Sequence, residues 1–86
     1  MIDVVWQRII ENEGQVFMQI RGGEFTYKVS GNTIKLSRTN RTVAKSTFVE
    51  ALKFVPLENT VPLQPLQAPS YLFAILMDNR IRKSDW

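Results

Sequence analysis

At 86 residues the chain is long enough for one domain with a modest core, and its 44% apolar share excludes a disordered or fibrous protein. It contains neither cysteine nor histidine, which excludes disulfides, thiolate chemistry, Ser-His and Cys-His catalytic pairs and ordinary zinc sites. Net charge is only +3, but residues 21–45 hold Arg21, Lys28, Lys35, Arg38, Arg41 and Lys45 against Glu24 alone, while the segments on either side are acidic.

The first element reads as a helix. Ile2, Val5, Trp6, Ile9 and Ile10 recur at the helical period and form one apolar stripe, with Gln7, Arg8, Glu11 and Asn12 opposite. Gly14 suits the left-handed position beyond its end. A stripe of this kind is expected to lie on the domain's own sheet.

A three-stranded antiparallel meander is predicted next. Gly22-Gly23 and Gly31-Asn32 are both plausible two-residue hairpin turns. The first would pair Ile20 with Phe25, Met18 with Tyr27 and Val16 with Val29. The second would pair Val29 with Ile34 and Tyr27 with Leu36. Both turns then agree on one apolar face, and a one-residue slip in either would break the match. The opposite face would present Phe17, Thr26, Lys28, Ser30, Thr33, Lys35 and Ser37 to solvent. Lys28 and Lys35 would stand directly opposite each other, an unfavourable pairing unless water or an anion lies nearby.

A basic turn, Arg38 to Arg41, leads into a second helix, for which Thr47 and Glu50 suggest a capping box and Phe48, Ala51, Leu52 and Val55 an apolar stripe. Pro56 should stop it. All four prolines lie in residues 56–69, and the segment is expected to run extended over the surface, pinned by Leu57, Val61, Leu63 and Leu66. Pro69 and Ser70 suit the start of a third helix, Tyr71 to Met77, apolar nearly all round and therefore expected to be central. That run of seven apolar residues is far short of the about 20 needed to cross a bilayer. No basic leader precedes an apolar stretch at the amino terminus, and the lack of cysteine suits a reducing cytosol. The expectation is a cytoplasmic protein with no membrane span.

The predicted fold class is therefore α+β: a single domain over residues 1–86, with helix, meander and two further helices joined by a Pro-rich strap, the helices covering one sheet face. No Asp-x-Asp, Glu-x-x-His or Glu-x-Lys motif accompanies the carboxylates, and Gly22-Gly23 lies between strands rather than before a helix where a phosphate cradle would sit. No enzyme, cofactor or metal is expected. Two functions remain. The first is a protein-interaction or assembly module, with a homodimer formed through the third helix or the tail ending in Trp86. The alternative is a nucleic-acid-binding module, using Phe17 as a stacking ring and Lys28, Lys35, Arg38, Arg41 and Lys45 as phosphate contacts.

The order helix, meander, helix is similar to that of double-stranded-RNA-binding domains. Arg41 to Lys45 holds a single lysine where that family carries a lysine-rich signature, and the prolyl strap and third helix have no place in that fold. Residues 39–52, Thr-Asn-Arg-Thr-Val-Ala-Lys-Ser-Thr-Phe-Val-Glu-Ala-Leu, with residues 68–81, Ala-Pro-Ser-Tyr-Leu-Phe-Ala-Ile-Leu-Met-Asp-Asn-Arg-Ile, resemble a family of small uncharacterised bacterial proteins. That resemblance implies a bacterial, cytosolic setting and no particular activity.

Overall fold

A computed structural model describes all residues from Met1 to Trp86. Helix α1 (Ile2–Glu11) forms on the predicted stripe, with Val5, Trp6 and Ile9 buried and Ile10 turned outward. The chain reverses through Gly14, whose φ of +84° is the left-handed conformation glycine adopts without strain.

Five short strands follow, and they divide between two sheets. Strands β1 (Phe17–Met18) and β2 (Glu24–Phe25) form a hairpin. Strands β3 (Tyr27–Ser30), β4 (Thr33–Leu36) and β5 (Thr42–Ala44) form an antiparallel sheet in the order β3-β4-β5. The fold is thus α+β with a three-stranded antiparallel sheet, as expected, but its third strand is Thr42–Ala44 rather than residues 15–21. The residues between the basic turn and the second helix supply this strand, with Val43 filling the inner face opposite Ile34.

The β3–β4 register agrees with the sequence reading, pairing Tyr27 with Leu36, Lys28 with Lys35 and Val29 with Ile34. The first hairpin does not. Phe17 pairs with Phe25 and Met18 with Glu24, an odd-numbered shift that reverses which side of β1 is buried. The turn is not Gly22-Gly23 alone. Gln19 N–H donates to Gly23 O at 2.8 Å, and Gly22 N–H, at a φ of +90°, donates back to Gln19 O at 2.8 Å. Alternation favours Val16, Met18 and Ile20 for the interior, since Phe17 shares its face with Gln15, Gln19 and Arg21, but packing overrides it. The aromatic ring decides it: Phe17 stacks at 6.0 Å from Phe25 and 5.4 Å from Tyr27, with the Arg80 guanidinium 4.1 Å above its ring. Val16, Met18 and Ile20, expected inside, are outside.

The outer edge of β3 is closed by the segment after α1. In this register Tyr27 and Val29 direct their backbone polar groups away from β4. Gly14 N–H donates to Tyr27 O at 3.1 Å, and Val29 N–H donates to the Glu13 carboxylate at 2.5 Å. An edge so occupied is protected from pairing with another strand.

Helix α2 (Lys45–Ala51) continues directly from β5 and ends in a 3-10 turn, Leu52–Phe54. It starts two residues before the expected cap. Ala44 occupies the cap position, Lys45 N–H is taken by Asn32 O at 2.7 Å, and Glu50 pairs with Lys53 at 2.6 Å instead of reaching back to Thr47. The proline-rich segment is compact rather than extended. It contains a 3-10 turn, Val61–Leu63, and buries Leu57, Leu63 and Ala68, while Val61 stays exposed. Helix α3 (Pro69–Leu76) begins with proline in its first turn, as expected, and buries Leu72, Ala74, Ile75 and Leu76. A final short helix, α4 (Asn79–Arg82), is capped by the Asp78 carboxylate accepting from Arg80 N–H.

The helices pack on the inner face of the strands, α1 against α2 and α4, and α3 against β1 and α4. Trp6 meets Phe48 at 5.8 Å, and Phe25 meets Tyr71 edge-on at 4.8 Å. The tail is anchored too. Trp86 Nε1 donates to Leu76 O at 2.8 Å, and Arg8 donates to Ile81 O at 2.9 Å while pairing with Asp85 at 2.6 Å.

Tyr27 stands at the centre of this packing, its hydroxyl donating to Ile9 O at 2.6 Å. Burial pushes its phenol above the ordinary tyrosine value, a shift that nearby Arg80 partly offsets. A raised folded-state pKa contributes stability that is complete below the unfolded value and is lost as pH rises through the folded one. Wild-type stability should therefore fall above about pH 10 more steeply than that of Tyr27→Phe, measured by denaturant titration across that range. Parallel curves for the two proteins would contradict this role for Tyr27.

Candidate functional site

The six residues proposed for nucleic-acid contact do not form one surface. Lys28 and Lys35 lie in register on the outer face of the three-stranded sheet, both exposed. Arg38 turns toward the β1–β2 hairpin, where its guanidinium lies against Gly23 so closely that a side chain there would collide with it. Arg41 is exposed just before β5. Lys45 opens α2 and pairs with Asp3 at 3.3 Å. Phe17 is only 1% exposed, so it cannot serve as an outward stacking ring. The alternation that placed it outside failed with the register of β1.

Between the lysines and the turn beyond β4 runs a groove of about 340 Å³, also lined by Thr26, Ser37, Thr39 and Asn40. Thr26 and Ser37 brace one end: Thr26 N–H donates to Ser37 Oγ at 2.9 Å, and Ser37 N–H donates to Thr26 O at 3.0 Å.

The second surface was missed by the sequence reading. Val16, Met18 and Ile20 alternate with buried Phe17 and half-buried Gln19, and they are 51%, 57% and 61% exposed. Gln19 Nε2 donates inward to Ser70 Oγ at 2.9 Å, which fixes the parity of the strand end. At the other end Arg80 Nη2 donates to Val16 O at 2.7 Å. Arg80 is held in turn by Asp78 at 2.9 Å, and their hydrogen bond keeps the Asp78 carboxyl below its ordinary pKa. A hollow beside Ile20 runs to Thr60 and Ser70, next to exposed Val61. Arg21 and Glu24 flank the stripe, both exposed and neither in an ion pair within the chain. Glu24, directly opposite Met18, shares its face of the hairpin.

The expected dimer contacts are occupied from within. Helix α3 spends its apolar surface on the core, and Trp86 is half-buried against Leu76. No helix is long and apolar enough to cross a membrane.

No protein-family model, curated protein or solved structure shows recognisable similarity to this chain.

Proposed function

We propose that this protein is a non-catalytic assembly module that pairs with a second copy of itself through the outer face of the β1–β2 hairpin. The observation that supports this reading is the stripe of Val16, Met18 and Ile20, three large apolar side chains left more than half exposed along β1 and the residues flanking it. Scattered single apolar residues are normal on a surface, whereas a contiguous group marks a contact. The charges favour a copy of the same chain over a partner of one sign. A twofold interface brings each patch against itself, and this patch carries one unpaired cation, Arg21, and one unpaired anion, Glu24. A copy related by twofold symmetry can satisfy both. An interface also adds apolar burial to a domain whose core is small.

A nucleic-acid platform has less support, because Phe17 is buried, Lys45 is already paired and Arg38 lies apart from Lys28 and Lys35.

Sedimentation velocity over a concentration series tests the reading. The wild type should shift from monomer toward dimer as concentration rises. Met18→Lys should weaken association by at least about tenfold, because it desolvates a charge at the centre of an apolar contact. Arg21→Glu and Glu24→Arg should each weaken it, and the double variant should recover part of the loss. A wild type that remains monomeric throughout, or association unmoved by Met18→Lys, would overturn the proposal.

A further inference from the structure

The groove beside Lys28 and Lys35 lies on a different surface from the hairpin stripe and has its own chemistry. The two lysines form a directly opposed cross-strand pair, in the register where opposed Cα atoms are about 5.5 Å apart. Like charges so placed repel, and neither lysine has a carboxylate partner within the chain. No carboxylate lines the groove either.

The hydroxyls add to the same polarity. Ser37 Oγ already accepts from Thr26 N–H, and Thr39 Oγ1 accepts from Arg41 N–H at 2.9 Å. Each therefore keeps its own O–H free to donate. Two ammonium groups and two hydroxyls thus converge as donors, with the Asn40 amide beside them. A polar hollow with two cations, several O–H and N–H donors and no carboxylate is suited to an anion, and two positive charges facing one ligand are best met by a dianion.

We propose that this groove binds the phosphate group of a phosphate monoester. Its doubly charged, tetrahedral head offers several acceptor oxygens to donors arriving from two strands and a turn, whereas a planar carboxylate brings one charge. The groove contains no exposed aromatic ring on which a base could stack, so recognition rests on the phosphate itself. The group can arrive on a small metabolite or on a phosphorylated side chain, and the chemistry at the groove is the same.

Amide chemical shifts of the full chain, followed during titration at low ionic strength, test this with three probes: inorganic phosphate, phosphoserine within a short peptide, and an oligonucleotide without terminal phosphate. Inorganic phosphate should shift Thr26, Lys28, Lys35, Ser37, Thr39 and Asn40 saturably. Tighter binding of the peptide than of phosphate would identify a polypeptide source; equal or weaker binding would identify a small ester. Lys28→Gln and Lys35→Gln should each weaken binding by roughly tenfold, the scale of one charged hydrogen bond, while Arg41→Gln leaves it unchanged. Both variants should retain the native β3–β4 amide signals, because they relieve a repulsion. Binding should also strengthen as pH rises through about 6, where a phosphate monoester gains its second charge. Shifts spread evenly over Arg21, Arg41 and Lys83, or an absence of shifts, would overturn the proposal. So would oligonucleotide binding at the groove that outcompetes phosphate, grows with strand length and ignores pH, since that behaviour belongs to a nucleic-acid surface.

Discussion

Phe17→Ala is expected to cost about 3–5 kcal/mol of folding stability, the range for emptying a buried aromatic site. The ring is packed between Phe25 and Tyr27 and roofed by Arg80, so its removal leaves a cavity that the paired strands cannot collapse to fill. A domain of this size commonly has about 5 kcal/mol or little more in total. A large part of the population should therefore unfold. Its neighbour supplies the internal control. Met18→Ala removes an exposed side chain and should change stability by no more than about 0.5 kcal/mol, measured at low protein concentration where association contributes little. The register first inferred from the glycines would exchange the two results. Denaturant unfolding of this pair of variants therefore decides which face of β1 is inside.

The second large effect lies in α3. Ile75→Ala should cost about 2–5 kcal/mol, and Leu72→Ala a similar amount. Both residues are fully buried on a helix that touches β1 and α4. Nothing in the proline-rich segment packs as deeply except Leu63. Val61→Ala, in the same denaturant titration, should be almost silent because that side chain is exposed. A loss below about 1 kcal/mol for Ile75→Ala would place α3 at the periphery and contradict the packing described above.

The contrast between the two hairpins shows how far the sequence could be read. At Gly31-Asn32 the flanking residues alternate cleanly: Tyr27, Val29, Ile34 and Leu36 face one way, and Lys28, Ser30, Thr33 and Lys35 the other. Only one register buries the first set, and the structure adopts it. Val16 to Ile20 alternates as well, but the apolar set it marks, Val16, Met18 and Ile20, lies outside, and Phe17 alone takes the interior. Two facts invisible to periodicity decide the outcome there. Gln19 finds Ser70 across the fold, and Phe17 finds Arg80, residues far away in sequence. Strand β5 was missed for a related reason. Three residues set among basic and polar neighbours are too few for alternation to register, although Val43 opposite Ile34 is an ordinary β-branched pair.

The candidate surfaces follow the same division. Lys28 and Lys35 were legible as an opposed pair because their register was. Their convergence with Thr39 and Asn40 required the turn beyond β4 to fold back, which no local pattern specifies. The hairpin stripe was hidden by the rule that usually serves best. Large apolar residues alternating along an extended segment read as core, and at Val16, Met18 and Ile20 they are surface.

The most direct test of the assembly proposal is to observe which atoms of two copies meet. In an equal mixture of isotope-labelled and unlabelled chain at a concentration where dimer predominates, NOEs filtered for contacts between copies should connect the methyl groups of Val16, Met18 and Ile20 across the interface. Contacts confined to α3 or the Trp86 tail, or a protein that remains monomeric at every concentration, would contradict it.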